Sequence, residues 1–510
     1  MSKIEVTNSA IKINNYEFGD CPRLENYFRI YDPVRHSYYY MGLYYDSENK
    51  VLYLPRGIDI WHVESLIGET AEILVDKCYK YQKFKDIYMK TLPRDDTQKE
   101  ALRFAVGAGE YRSTATKSQL SINLSTGKGK TYITIATLAY FSIRGIVITE
   151  SRSWLEQWKD RALQYTNLTN KEVCILSGSN HIFRFMNMTD EQLSSYKLLL
   201  VTHDTLQSFA SANGWEKVGE FFKKAKIGIK IFDEAHLNFE NMCMIDFYTN
   251  VYKTYYLTAT PAKSAEKENA IYQLAFKNVP AINLFDEETD PHTAYWAITY
   301  SSNPTPVDIS NCKNAYGLDR NAYTNYVVQK PEFYKMLSVV MDIALRKTNM
   351  PGEKFMIYIG TNDAIKKVKN WIIENYPELE SFIGIYTSIV SSEEKEIALT
   401  KRIILTTTKS ASAAVDIKGL KLTIIMAEPF KSEVIARQLL GRTRDKDTLC
   451  IEVVDRGFSQ CQRYYYSKLP IFKKYATSCS VIKLSNQELN NKYNKIVEVR
   501  SNPRRIFTKI

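Results

Sequence analysis

Two α/β lobes with parallel sheets in tandem, behind a small α+β domain, are the architecture this sequence predicts, and three observations predict it. From about Thr91 onward, short apolar runs alternate with helix-compatible stretches, the pattern of strands covered on both faces by crossover helices. That rhythm runs to residue 257 and then restarts at residue 355. Residues 1–90 read differently, rich in tyrosine (Tyr38, Tyr39, Tyr40, Tyr44, Tyr45, Tyr53) and alternating like strands around the turn-prone Asp46-Ser-Glu-Asn49.

Taken in order, the candidate strands of the first lobe are Ile122–Leu124, Ile146–Thr149, Leu198–Val201, Ile229–Phe232 and Tyr255–Leu257. Those of the second are Phe355–Ile359, Phe382–Tyr386, Ile403–Leu405, Leu422–Met426 and Leu449–Val453. Between the lobes, Phe285–Met350 is polar at first and helical from about Pro331 to Lys347, which suits a linker leading into the second lobe. The expected division is 1–90 as an accessory domain, 91–290 as the first lobe, 291–350 as linker and helical lead-in, 351–480 as the second lobe and 481–510 as a basic tail. No internal repeat or low-complexity tract is present.

The bulk numbers limit the function classes. A chain of 510 residues, 45% hydrophobic and 25% charged, reads as a multidomain globular protein. It has no run of 18 apolar residues, and its first residues lack a basic end followed by an apolar core, so a membrane span or secretion is not expected and the cytoplasm is. Eight scattered cysteines form no CxxC pair, so they read as reduced thiols rather than ligands of zinc or an iron–sulfur cluster. The net charge of +11 fits a polyanionic partner without demanding one. From Ser480 to Ile510 seven basic residues face two acidic ones, which leaves open a solvated tail or one that contacts phosphates.

Chemistry is concentrated at three places. Leu124-Ser-Thr-Gly-Lys-Gly-Lys-Thr131 follows an apolar strand and precedes a helix-compatible stretch. In such a loop, Thr126, Gly127, Lys128 and Gly129 can wrap backbone N–H groups around phosphates, Lys130 can reach the outer phosphates, and Thr131 can bind Mg²⁺. The first glycine of the usual pattern is replaced by Leu124, so the strand–loop–helix context carries much of the assignment. Asp233-Glu-Ala-His236 ends another apolar run. Asp233 there can hold the Mg²⁺ shell and Glu234 can orient and deprotonate an attacking water, although alone the tetrapeptide would also suit a helix-capping turn. The third place is Gln438-Leu-Leu-Gly-Arg442-Thr-Arg444. An arginine such as Arg442, delivered to a γ-phosphate, stabilises the charge of phosphoryl transfer, whereas in isolation the stretch would read as a surface arginine pair.

Together these blocks resemble the superfamily 2 helicases and translocases, over about Thr91 to Asp455. Further blocks match in the order that superfamily uses. Gln98 with Arg94, in Leu92-Pro-Arg-Asp-Asp-Thr-Gln98, looks like the adenine-reading element. Thr149-Glu-Ser-Arg-Ser-Trp-Leu-Glu-Gln-Trp158 resembles motif Ia, Val201-Thr-His-Asp-Thr-Leu206 motif Ib and Leu257-Thr-Ala-Thr-Pro261 motif III. In the second lobe Phe355–Thr361 resembles motif IV, Tyr386-Thr-Ser388 a track-contacting loop and Thr406–Leu420 motif V, with Asp416 placed to touch ribose or Mg²⁺. There are departures. Asp445 stands where many relatives carry a second motif VI arginine, with Arg444 one residue early, and Ala414-Val-Asp416 replaces a glycine-containing motif V.

The resemblance implies two RecA-like domains that bind ATP and Mg²⁺. It assigns Lys130, Asp233, Glu234, Gln438 and Arg442 to hydrolysis, and His236, Thr258 and Thr260 to coupling. Arg152, Thr202, Thr361 and Ser388 would hold the strand, with each ATP cycle ratcheting it forward. Motif III and the small leading domain look most like the phage UvsW-type branch-migration helicases, a branch shared with RecG and Rad25-type enzymes. That likeness implies a monomer acting 3′-to-5′ on single-stranded and branched DNA in a bacterial cytoplasm, beside phage recombination or replication proteins. The alternatives are the duplex-translocating subunit of a restriction or defence complex, an RNA helicase, and a non-hydrolysing clamp, which intact Lys130, Asp233 and Glu234 argue against. The leading tyrosines suit a half-buried sheet first and base stacking second, and Arg56 reads equally as a DNA contact or a turn residue.

Overall fold

The structure is a computed structural model that describes residues 3–32, 36–68, 70–72, 78–124, 128–258, 266–284, 293–314, 317–411, 417–440 and 447–501. They form two compact units, Met1–Asp286 and Glu287–Ile510.

The first unit begins with a small sheet of β1 (Lys3–Val6), β2 (Ala10–Asn14), β3 (Tyr44–Asp46), β4 (Val51–Pro55) and β5 (Ala71–Glu72), in the order β3-β4-β2-β1-β5. Its pairs are antiparallel except β1 with β5. Next comes a seven-stranded sheet of β6 (Gln119–Leu124), β7 (Gly145–Thr149), β8 (Val173–Leu176), β9 (Leu198–Thr202), β10 (Ile229–Phe232), β11 (Lys253–Thr258) and β12 (Ala281–Leu284), in the order β8-β9-β7-β10-β11-β6-β12. Every pair in it is parallel. Strands such as Gly145-Ile-Val-Ile-Thr149 and Leu198-Leu-Leu-Val-Thr202 are buried along their whole length, which is why they read as continuous apolar runs rather than alternating ones.

The small sheet is not a separate bead. Its Ile11, Leu52 and Leu54 belong to the same apolar core as Phe232, Phe239 and Met242 of the larger sheet and its helices. Tyr53 stacks on Phe247 and Tyr248 with ring centroids 5.7 and 5.2 Å apart. At Gly57 a Cβ would lie 2.1 Å from the carbonyl oxygen of Ala275, so only glycine permits that approach. Of the leading tyrosines, Tyr53 is buried, Tyr39, Tyr40, Tyr44 and Tyr45 pack half-buried against this core, and Tyr38 stays exposed.

The second unit repeats the plan with β13 (Thr293–Tyr300), β14 (Lys354–Ile359), β15 (Ile383–Tyr386), β16 (Ile403–Thr406), β17 (Leu420–Ala427), β18 (Thr448–Asp455) and β19 (Cys479–Lys483). Their order is β15-β16-β14-β17-β18-β13-β19, again all parallel. The chain is thus two tandem RecA-like parallel-sheet domains behind a small mainly antiparallel sheet, as the sequence predicts. Every strand expected from the sequence overlaps an observed one.

Within the two seven-stranded sheets, four strands lie outside those expected from the sequence: β8, β12, β13 and β19. Strand β13 starts inside the stretch read as linker, and β19 straddles the start of the expected tail, which continues as a helix over Asn486–Ser501. In β13 the sequence is Thr-Ala-Tyr-Trp-Ala-Ile-Thr-Tyr, and its Thr293 and Tyr295 side chains find polar partners inside the fold. Tyr295 donates its hydroxyl to Glu452 at 2.6 Å, and the Lys468 ammonium lies 2.5 Å from the same carboxylate. A search for apolar runs passes over such a strand. The helix expected from Pro331 is present as Pro331–Lys347. All eight cysteines are free thiols, and no helix among the described residues is long and apolar enough to cross a membrane.

One buried ion pair sits behind the central strand β10. Lys230 is fully buried, with its ammonium 2.5 Å from Asp246 and 2.5 Å from the Thr249 hydroxyl. Tyr256 donates to the other Asp246 oxygen at 2.6 Å, and Gln119 donates to Tyr256 at 2.7 Å. Removing one partner of such a pair leaves an uncompensated buried charge. Lys230→Ala is therefore expected to destabilise the first unit by about 3–5 kcal/mol, read by denaturant unfolding. A loss below about 1 kcal/mol would show that the pair is solvated in solution.

Candidate nucleotide-binding site

Three neighbouring parallel strands, β10, β11 and β6, end on the same side of the first sheet, and each feeds one block singled out in the sequence. Strand β6 ends at Leu124 and leads into the phosphate-loop segment, whose Lys128, Gly129 and Lys130 are described. The helix α1 (Asp96–Val106) precedes that strand, and α2 (Lys130–Phe141) begins on the loop lysine itself. Gly129 caps α2 with φ +93°, a left-handed conformation that side chains rarely adopt.

Gln98 explains why glycine is needed there. Its side-chain oxygen accepts from Arg94 N at 2.8 Å, its amide donates to the Lys128 carbonyl at 3.4 Å, and a Cβ on Gly129 would lie 2.1 Å from that amide nitrogen. Asp95 caps α1 by accepting from Gln98 N at 2.8 Å, so the glutamine is fixed at the first turn. The Arg94 side chain is mostly exposed and pairs with Asp95 at 3.0 Å.

Lys130 points its ammonium at Glu234, 3.2 Å away, and at the Leu124 carbonyl, 3.4 Å away. Both side chains are about nine-tenths buried. Glu234 has φ +49°, in the left-handed region, which costs a non-glycine residue energy and is typical of functional sites. Backbone bonds hold it: Asp233 N donates to Ile148 O at 3.0 Å, Ala235 N to Leu257 O at 2.9 Å and Leu237 N to Glu234 O at 2.9 Å. Burial, and next the charge of Glu234, push the Asp233 carboxyl upward, while the Trp158 indole N–H and Lys130 pull the other way. His236 Nδ1 lies 2.8 Å from the Thr258 hydroxyl and 3.4 Å from Glu234, which joins the end of β11 to the carboxylate cluster.

The remaining expected residues are spread out. Arg152 is exposed at the first position of α3 (Arg152–Tyr165). Thr202 is buried, and its hydroxyl caps the helix His203–Asn213 by accepting from Thr205 N at 3.2 Å. In the second unit Thr361 caps the helix Asn362–Asn375 and donates to Asn325 at 3.0 Å, while Ser388 is exposed after β15. The backbone of Gln438 lies in the helix Glu433–Leu440. Thr126, Gly127, Thr260, Asp416, Arg442 and Arg444 lie outside the described residues, and Thr131 is half-buried at the second position of α2.

Sequence reasoning missed two links between blocks. Trp158 donates its indole N–H to Asp233 at 2.8 Å, and Asn238 donates to Glu150. Both connect the segment after β7 to the one after β10. Trp158 was within the quoted motif Ia block, but indole-to-carboxylate pairing across 75 residues leaves no signal in spacing.

Residues 91–263 match the family model of the type III restriction enzyme, res subunit. No match to a curated protein sequence is found. Among solved structures, the chain superposes on S. cerevisiae Dbp5 bound to RNA and ADP BeF3 with a TM-score of 0.50 at 12% identity, over 79% of this chain and 93% of that one. A fragment of a putative HsdR subunit of a type I restriction enzyme from Vibrio vulnificus gives 0.49 at 14% identity, over 77% and 69% of the two chains. T4 UvsW gives 0.36 at 12% identity, over 95% and 99%. The Dbp5 likeness speaks to the fold, and the two looser superpositions add no argument. The family-model match covers the first lobe, whose ordered motifs resemble those of superfamily 2 helicase-type ATPases.

The glycine constraint gives a direct test. A methyl at position 129 must displace Gln98 and adopt a strained backbone, at about 1–3 kcal/mol. Gly129→Ala is expected to weaken binding of a fluorescent ATP analogue about tenfold or more. Wild-type affinity would show that Gln98 does not rest on the loop in solution.

Proposed function

We propose that this chain is a nucleic-acid-stimulated ATPase that drives translocation along DNA and remodels branched substrates such as forks, D-loops and Holliday junctions, moving 3′-to-5′. The observation that carries the ATPase half is the Lys130–Glu234 pair, 3.2 Å apart at the C-terminal end of a parallel sheet. Such ends are where open α/β sheets bind ligands. Gln98 packed on a left-handed Gly129, a helix N-terminus, the buried Glu234 and the half-buried Asp233 fit a nucleotide phosphate tail and its cation.

In this reading Gln98 and Arg94 recognise the base, residues 126–131 surround the phosphates, and Thr131 and Asp233 hold Mg²⁺, which supplies Lewis-acid charge at the transferring phosphoryl group. Lys130 leaves Glu234 for the outer phosphates. Glu234, released from the ammonium, accepts a proton from the attacking water. Arg442 and Gln438 act on the γ-phosphate, and Asp416 and Arg444 on the nucleotide. His236 and Thr258, already bonded, pass the change to the motif III segment and Thr260. Arg152, Thr361 and Ser388 contact the strand backbone, so affinity falls with salt and sequence preference is weak. Thr202 belongs with them through its backbone, since its hydroxyl is engaged as a cap.

DNA is favoured over RNA by the Leu-Thr-Ala-Thr-Pro form of motif III. The restriction-subunit family model supports a second reading, a duplex translocase that works inside a restriction or defence complex.

Steady-state ATP hydrolysis with matched single-stranded DNA, duplex, four-way-junction DNA and single-stranded RNA separates these readings. The junction is expected to stimulate most. Stimulation by duplex alone favours the restriction-type motor, and stimulation by RNA alone overturns the DNA assignment. Glu234→Gln is expected to bind ATP but lose turnover by about 10²-fold or more. A rate unchanged in that variant removes Glu234 from the mechanism.

A further inference from the structure

Trp158 is one residue whose contact reaches the chemistry although nothing in the proposed mechanism uses it. It lies in α3, is 2% exposed, and its indole N–H donates to Asp233 Oδ2 at 2.8 Å. Indole nitrogen is only a donor, and its partner here is a carboxylate, so the bond is charge-assisted and directional. Asp233 has its backbone N–H committed to Ile148. With Trp158 on its side chain as well, Asp233 is held at its backbone and at one carboxylate oxygen.

Carboxylates that ligate metals are ordinarily oriented by such outer partners, and loss of one costs about 10–100-fold in metal affinity or activity. The other explanation is that a buried tryptophan merely needs an acceptor for its N–H. That explanation predicts a loss of stability without any effect on cation dependence. The same helix is tied to the Asp233-Glu234 segment a second time, because Glu150, two residues before α3, accepts from Asn238. The N-terminal end of α3 carries the exposed Arg152.

We propose that Trp158 is a positioning residue that holds the Asp233 carboxylate in the orientation that binds the nucleotide's Mg²⁺. The inference rests on the reading of Asp233 as the Mg²⁺ carboxylate and deepens it. Through α3, it also makes a residue of the track-contacting block part of the cation site.

The test is equilibrium binding of a fluorescent ADP to the full chain across a Mg²⁺ titration, for wild type, Trp158→Phe and Asp233→Asn, with a thermal melt of each. Trp158→Phe keeps an aromatic ring and removes the donor. It is expected to raise the Mg²⁺ concentration for half-maximal enhancement of ADP binding about tenfold or more, and to leave Mg²⁺-free ADP binding within about twofold. A wild-type Mg²⁺ dependence in Trp158→Phe, beside a shifted one in Asp233→Asn, overturns the role of Trp158 and leaves the cation site standing. No shift in either variant removes Asp233 as the cation ligand, and the proposal falls with it. Should Trp158→Phe fail to fold, ¹⁵N-tryptophan labelling of the wild type, which has six tryptophans, gives the second measurement. One indole resonance should respond to Mg²⁺ with ADP in the wild type and lose that response in Asp233→Asn; the same spectrum in both overturns the proposal.

Discussion

A lysine ammonium and a glutamate carboxylate, facing each other in a nearly dry place, are the constraint around which the first lobe is arranged. Lys130 and Glu234 come from loops after different strands and lie 3.2 Å apart with little access to water. Two buried charges are costly unless paired, so each holds the other where an incoming phosphate can replace one partner. The strained φ of Glu234 and the left-handed Gly129 are local costs of that arrangement. The five inner strands of the all-parallel sheet, buried along their whole length, anchor the segments that carry them.

Around this pair the blocks form one connected chain of contacts. Gln98 rests on the phosphate loop, Trp158 on Asp233, Asn238 on Glu150 and His236 on Thr258. Each bond joins segments that follow different strands or helices. The small leading sheet shares the core of this same unit and is packed as part of the first lobe.

Much of this was legible in the sequence, for reasons that can be named. Strands such as Ile229-Lys-Ile-Phe232 are short apolar runs because parallel sheets bury both faces, and Lys230 did not spoil the pattern since Asp246 neutralises it out of view. Gly-Lys-Thr and Asp-Glu-Ala-His mark phosphate and carboxylate chemistry when each is read with the apolar strand that precedes it. What was not legible depended on distant partners. Strand β13 interleaves threonines, tyrosines and a tryptophan, and its Tyr295 and Thr293 find Glu452 and Thr448 more than 150 residues away. Thr202, expected to contact the nucleic-acid strand, is also a buried helix cap, a role set by Thr205 and the end of β9. The Trp158 bond to Asp233 exists only once α3 packs beside β10.

The account depends most directly on Lys130 being the receptor for nucleotide phosphate. Equilibrium binding of a non-hydrolysable ATP analogue, compared between wild type and Lys130→Ala with both shown to be folded, measures that claim without requiring turnover or any nucleic acid. The account predicts a loss of affinity of about tenfold or more, as expected when a buried charge-assisted contact is removed. Equal affinity would contradict it, because the lysine beside Glu234 would then be a structural ion pair and the nucleotide site would lie elsewhere.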